Sequence, residues 1–390
     1  MKYKLAGTGM ETIERGTVKS LRVVESPEKR FWTGPAWDGG TGQQAPGMAW
    51  DDFNNKRILG TVPVEDDGSA YFAVPADTFV YFQLLDASGM MIQSMRSGTI
   101  VRPGETAGCV GCHDSRRGAL PLGDRRTATS RGPSRLAPWY GPPRKFSYAQ
   151  EVQPVFDKHC VECHDYPEEA GRKLNLAGDL GLVFNTSYTE LRSKHYVNVP
   201  GAGPHQVLKP KSWGSHTSRL VEVLLAGHED PEINKKVKLD PEDFDRIVTW
   251  IDINAPYYAE YASGYRENQY GRSPLDAGQL GRLGELTGVD FNDRKSASQV
   301  SFTRPELSPC LEKLSDPGDA NYREALAIIR AGQAMLAQRP RADMPGFQLT
   351  SQVEIDQEAK YQARLEVEAA MRKSIARGEK QYDATPPGDH

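Results

Sequence analysis

The strongest constraint on this chain is a five-residue pattern that occurs twice, as Cys109-Val110-Gly111-Cys112-His113 and as Cys160-Val161-Glu162-Cys163-His164. Cysteines at i and i+3 lie on one face of a helical turn, so two thiols can add to the two vinyl groups of a single haem. The histidine that follows then brings an imidazole under the iron. Each pattern therefore reads as a c-type haem attachment site: Cys109, Cys112 and His113 for one haem, Cys160, Cys163 and His164 for the other. A zinc ion held by the four cysteines is the competing reading. It fits less well, because the two pairs are separated by far more than the usual loop of about 15–20 residues and each is followed by histidine. An iron–sulfur cluster fits less well still.

Two haems would also fix a compartment. The motifs take four of the five cysteines and leave Cys310 alone, so disulfides contribute little to the fold. Few disulfides usually suggest the cytosol, but haem is attached covalently on the far side of the cytoplasmic membrane, and a periplasmic or equivalent location is expected. The stretch from Met1 to Met10 lacks the apolar core of a signal peptide, so the expectation is a fragment or partial gene product whose export signal lay upstream. A net charge of −4 with no long basic run gives no reason to expect nucleic acid. No segment approaches the roughly 18 consecutive apolar residues of a membrane span.

The chain of 390 residues, 38% hydrophobic and 26% charged, is long enough for several domains. From about residue 16 to 100 the pattern is β. Thr17 to Val24 alternates, Asp66-Asp67-Gly68 is a turn between strands at 58–62 and 70–74, and further strands fall at 79–85 and 90–92. This spacing suggests a small antiparallel sandwich. Residues 26–57, rich in Gly, Pro and Trp, read as a long loop. Between Gly132 and Pro143 prolines cluster and periodicity vanishes, which marks a boundary.

A helix then opens at Ser147, with Gln150 completing a capping box and Val152, Val155 and Phe156 on one face, and ends in the second haem motif. Asp240 starts a closing helix as N-cap, followed by Pro241 and by Phe244, Ile247, Val248 and Ile251 at helical spacing. This outline is that of a small cytochrome c domain. The fold class expected is α+β multidomain: a β-sandwich-like domain with a haem site over 1–131, a Pro-rich linker over 132–146, a mostly α cytochrome c domain over 147–262, and a polar, partly helical extension over 263–390. Helices in the extension fall at 321–338 and 354–380, the latter highly charged and read as exposed or laid along a partner surface.

The iron's far side decides what each haem can do. Between Cys163 and Ala255 there is no methionine, but there are His195, His205, His216 and His228. His228 stands nearest to the closing helix, where a distal ligand is expected, and is the first choice; His216 is the second, and His195 and His205 read as surface residues. His113, His164 and His228 are thus the candidate iron ligands. Two imidazoles on one iron imply a closed, low-spin site suited to electron transfer. For the first haem no distal ligand stands out. Met90, Met91 and Met95 read as core, and if none reaches the iron that haem is open to a substrate. Arg116 and Arg117 are candidate propionate partners. His159 reads as support for the haem edge and Cys310 as a buried small residue.

Met95-Arg96-Ser97-Gly98-Thr99, Gly108 through His113, Phe156-x-x-x-Cys160-x-x-Cys163-His164 and Trp250-Ile251-Asp252-x-Asn254-Ala255-Pro256-Tyr257-Tyr258 together resemble the middle and C-terminal haem domains of the hydrazine synthase alpha subunit family of planctomycete-type bacteria. The resemblance covers well over half the chain. It implies an extracytoplasmic compartment, a β-rich domain bearing one haem, a cytochrome c domain bearing a bis-histidine haem, and a β-propeller upstream. It also implies a difference: in the synthase a tyrosine holds the active-site iron where this chain has His113. That histidine favours ordinary cytochrome behaviour. The expected function is therefore a dihaem c-type cytochrome that passes electrons to a redox partner protein. The alternative is an oxidoreductase acting on small nitrogen compounds at an open first haem, with the second haem as electron port. A third reading is a haem-bearing interaction module of a larger complex, with the charged C-terminal helices as docking surface; other subunits or an upstream propeller are expected as partners.

Overall fold

The strand β1 (Ser20–Glu25) is covered on both faces, and its alternating side chains show how. Leu21 and Val23 enter a small apolar cluster with Met10, Val18, Val62, Leu84 and Ile92. On the opposite face Val24 joins Ile58 and Tyr81 in a much larger core that continues into the helical part of the chain. The strands β2 (Arg57–Pro63), β3 (Val80–Leu85) and β4 (Met91–Ser94) complete an antiparallel sheet in the order β2-β1-β3-β4. The structure, a computed structural model, describes residues 9–28, 55–109, 111, 127–200, 208–228, 230–314 and 316–379.

The fold is α+β. After the sheet come α1 (Tyr148–Glu151), α2 (Gln153–His159), α3 (Glu169–Lys173), α4 (Thr186–Ser193), α5 (Arg219–Ala226), α6 (Pro231–Lys236) and α7 (Pro241–Asp252), then α8 (Ala277–Thr287), α9 (Ala320–Gln338) and α10 (Gln352–Ala376). Among the described residues there is one sheet, where the strand spacing suggested two packed against each other, and the second layer is helical. The reason lies in what the strands carry to that face. Arg22, 1% exposed, donates to Gln83 Oε1 (3.1 Å) and to Thr249 Oγ1 of α7 (2.6 Å). Gln83 donates to the Asp252 carbonyl (2.6 Å). A buried guanidinium and amide need acceptors, which a helix end supplies and an apolar sheet face does not. The strand expected at 70–74 is reduced to one bridge between Phe72 and Ser134. Most of the loop expected at 26–57 lies outside the described residues.

The Pro-rich stretch is bound along β2. Thr61 and Ala137 exchange backbone hydrogen bonds of 2.9 and 2.8 Å, and the Phe146 N–H donates to the Lys56 carbonyl (2.7 Å). A Cβ on Gly60, whose φ is 142°, would lie 2.3 Å from the Ala137 carbonyl oxygen, so this close approach requires glycine.

The main core runs through the sequence positions where composition changes. It includes Val24, Tyr148, Phe184, Trp250, Tyr257, Leu283, Phe302, Cys310, Ile329 and Leu336. Burial pushes the Cys310 thiol up to about 12, which keeps it protonated and unreactive. Tyr148, Tyr188, Trp250 and Tyr257 form an aromatic cluster with ring centres 4.8–6.0 Å apart. Asn254 and Ala255 turn the chain out of α7 at φ of 78° and 49°, and Tyr188 Oη donates to the Ala255 carbonyl (2.8 Å). The extension is tied in by Arg341, which donates to the carbonyls of Gly181 (2.9 Å) and Leu182 (3.1 Å). No helix among the described residues is long and apolar enough to cross a membrane.

Asp252 joins three parts of the fold. Its carboxylate accepts from the N–H of Met91 in β4 (2.9 Å) and from the N–H (2.7 Å) and hydroxyl (3.0 Å) of Ser215, in the turn before α5. Burial pushes this carboxyl up to about 6, against the lowering effect of the Arg22 charge and of those hydrogen bonds. A folded-state pKa above the unfolded value means that the native chain holds the extra proton. The associated stability is complete below about pH 4 and is lost as pH rises through about 6, a difference of about 3 kcal/mol. We expect this loss in urea unfolding of the wild type between about pH 4 and pH 7 and its absence in Asp252→Asn. Equal pH dependence in the two proteins would refute it.

Candidate functional site

The second CxxCH motif is delivered by a broken helix. Pro154 has no N–H to donate, so the helix expected from Ser147 splits at Val152 into α1 and α2. The capping box expected from Ser147 and Gln150 is not formed: Ser147 is the N-cap residue but its side chain makes no cap hydrogen bond. The Tyr148 N–H instead donates to the Tyr257 carbonyl (3.0 Å), which anchors the helix start to the residues after α7.

At the other end the Cys160 N–H donates to the Phe156 carbonyl (2.8 Å), and the His164 N–H donates to the Cys160 carbonyl (2.9 Å). The motif is therefore one more helical turn, with Cys160 half-buried and Cys163 exposed. Burial, with the neighbouring Cys163, pushes the Cys160 thiol up to about 12. His159 Nε2 lies 2.8 Å from Asp243 Oδ2 and Lys158 Nζ donates to the same oxygen (2.7 Å), tying this turn to α7.

His164 is oriented from behind. Its Nδ1 lies 2.8 Å from the Leu174 carbonyl oxygen. A carbonyl only accepts, so Nδ1 carries the proton and Nε2 keeps its lone pair for a metal. Burial holds the imidazole below its ordinary pKa, outweighing the opposing pull of that hydrogen bond, and the nearby His228 lowers it further. The neutral, ligating form is the favoured one.

Near His164 lies His228, with ring centres 6.4 Å apart and ring planes at 49°. Two imidazoles on opposite sides of one metal, each nitrogen about 2 Å from the ion and each ring centre about 1 Å further out, stand roughly 6 Å apart. Two nitrogens on one axis are too few to hold a bare ion, but they are the complement of a porphyrin, which supplies four donors in its plane. The pair and the two adjacent thiols fit a covalent haem.

The residue after the motif is clamped. Arg304 donates to both carboxylate oxygens of Asp165 (2.7 and 2.6 Å) and to both of Asp179 (2.9 and 2.8 Å). Its guanidinium holds the Asp165 carboxyl below the usual range. A Cβ on Gly171 would fall 1.7 Å from the Asp165 carbonyl oxygen, so only glycine lets α3 pass here.

The other histidines are placed elsewhere. His216 lies 3.2 Å from Asp86. His195 is exposed and left-handed at φ 59°, and His205 lies outside the described residues. Met91 is buried with Leu85 and Trp213, while Met90 and Met95 pack against the main core. Of the first motif only Cys109, which is exposed, and Gly111 are described. Cys112, His113, Arg116 and Arg117 lie outside the described residues.

Residues 16–114 match the family model described as the hydrazine synthase alpha subunit middle domain. This stretch carries the hydrazine synthase alpha subunit middle domain. Hydrazine synthase subunit alpha of Kuenenia stuttgartiensis is 23% identical over 317 residues, an alignment that covers 63% of this chain and 39% of that protein. A solved structure of Kuenenia stuttgartiensis hydrazine synthase aligns with a TM-score of 0.45 at 21% identity, over 63% of this chain and 40% of that one. The chain thus spans about two fifths of the length of the relative it matches.

Three contributors to the site carry no signal in the linear pattern. Leu174 acts through its carbonyl, so its identity is silent. Arg304 lies 139 residues from Asp165. Asn234 hydrogen bonds to the backbone of His228 from six positions away and sits in a polar helix turn like many others.

Proposed function

We propose that this hydrazine synthase alpha-like protein is a dihaem c-type cytochrome that transfers electrons between its two covalent haems and an external redox partner, in the periplasm or an equivalent compartment. The observation that carries this reading is the pair His164 and His228, at 6.4 Å between ring centres, with Nδ1 of His164 already engaged by the Leu174 carbonyl. When bound, the haem would supply a one-electron iron couple.

The chain's own residues do the rest. Cys160 and Cys163 would tether the group, and His164 and His228 would hold its iron. Held by two histidines, the iron would be closed to small molecules and would supply electron transfer with little rearrangement of its ligands. Cys109, Cys112 and His113 hold the other haem in this reading. The curated relative is named as a subunit, and association with further subunits is part of the proposal.

The test is the protein produced with a haem-attachment system and exported. Mass and pyridine haemochrome spectra are expected to give two covalent haems, and a reductive titration two one-electron steps. A protein without covalent haem would overturn the proposal, as would haems that no redox mediator oxidises or reduces.

A further inference from the structure

One side chain holds the backbone of His228 at both of its hydrogen-bonding atoms. Asn234 Oδ1 accepts from the His228 N–H (2.6 Å), and Asn234 Nδ2 donates to the His228 carbonyl oxygen (2.7 Å). A primary amide suits this task because it carries an acceptor and a donor side by side in one plane.

The amide is itself held in place. Asn234 lies in α6, whose N-cap Asp230 accepts from the Glu232 N–H (2.8 Å), and its own N–H donates to the Asp230 carbonyl (3.3 Å). On the other side Gly227, at φ 84°, closes α5 by donating to the Val223 carbonyl (2.8 Å). A Cβ on Gly227 would lie 2.7–2.9 Å from the oxygen, carbon and nitrogen of the Asn234 amide. Glycine at 227 and asparagine at 234 are therefore complementary. The amide lies against the Cα of Gly227 and closes a ring with His228, fixing the backbone from which the imidazole projects toward His164.

We propose that Asn234 is a positioning residue for His228: by bridging the N–H and carbonyl of that histidine it presents the imidazole to the second haem and keeps it there. This rests on the reading of His228 as distal ligand. Without the bridge, the segment joining α5 to α6 must be ordered afresh each time the imidazole binds, so the ligand leaves more often and competitors reach the metal sooner.

The experiment uses the full haem-loaded protein and carbon monoxide as probe, with His228→Ala as the reference for an unligated second haem. Asn234→Ala is expected to keep both haems but to bind carbon monoxide at the second haem roughly tenfold faster or more than wild type, since two hydrogen bonds are lost. Added imidazole is expected to suppress that binding. Asn234→Asp keeps the size and the acceptor for the N–H but sets a carboxylate oxygen against the His228 carbonyl, so it is expected to behave like the alanine variant. If Asn234→Ala does not fold, Asn234→Asp decides. Hydrogen exchange supplies a readout independent of the metal: the His228 amide is expected to be protected in wild type and to lose protection in both variants. Wild-type carbon monoxide kinetics and wild-type spectra in the Asn234 variants, alongside a clear change in His228→Ala, would overturn the positioning role. An unchanged spectrum in His228→Ala would overturn instead the ligand reading on which it rests.

Discussion

Replacing His228 with alanine is expected to turn one of the two haems from low-spin to high-spin and to open it to carbon monoxide and nitric oxide. His164 is pinned by the Leu174 carbonyl at 2.8 Å, so it stays on its side of the metal when the other imidazole is removed. Among the described residues His216 lies 3.2 Å from Asp86, His159 is paired with Asp243 at 2.8 Å and His195 is exposed, which leaves no other histidine placed to substitute. The change would convert the low-spin signal of the second haem and leave the other haem as it was. External imidazole should restore it, since the cavity left by the truncated ring accepts the same ligand. His195→Ala serves as the control and should leave both spectra unchanged. Electron paramagnetic resonance and optical spectra read the outcome, and a His228→Ala protein with wild-type spectra would refute the assignment.

The second large effect is on stability. Arg341→Ala is expected to cost about 3–5 kcal/mol, the range for breaking one side of a buried ion pair. Arg341 is 0% and Asp343 1% exposed in their side chains, and the guanidinium donates to both carboxylate oxygens, at 2.8 and 2.9 Å. Asp343 also accepts from Tyr257 Oη (2.7 Å), which in turn accepts from the N–H of Asn185, the N-cap of α4 (2.8 Å). Removing the arginine leaves a carboxylate without its counter-charge and two loop carbonyls, of Gly181 and Leu182, without a donor. Arg341→Lys should recover little, because an ammonium cannot reproduce the planar, two-pronged contact. Arg341→Met with Asp343→Leu should recover only part of the loss, since no charge is then buried alone but the two carbonyls are left without their donor and the Tyr257 hydroxyl without its acceptor. Guanidinium unfolding measures all three, and a loss below about 1 kcal/mol in Arg341→Ala would contradict the account.

Much of the secondary structure follows from local pattern. Asp240 with Pro241 starts α7, its side chain accepting from the Asp243 N–H at 2.8 Å, and Ile247, Val248 and Ile251 are buried along it. The helix at 320–338 lies where its periodicity places it. Other elements escape local reading because distant partners override local preference. Ser147 has the right neighbours for a capping box, yet the Tyr257 carbonyl and the proline at 154 decide how that helix begins. The stretch at 263–304 looks like polar loop, yet it contains α8 and supplies Leu283, Val300 and Phe302 to the core. Its glycines hide the apolar stripe, which only becomes a face once α9 packs against it.

The residues alone determine the local chemistry: two CxxCH motifs, each with two thiols and an imidazole within five residues, and an α+β pattern around them. These are short-range properties, set by the 3.6-residue period and by side-chain type. Tertiary structure decides what stands across from His164. Among His195, His205, His216 and His228 the order along the chain favours His228, which stands nearest to the closing helix, but it carries no distance to His164. The choice is made by the closure of α5 at Gly227, the amide of Asn234 and the clamp of Arg304, long-range contacts that bring residues 64 positions apart to a ring separation of 6.4 Å.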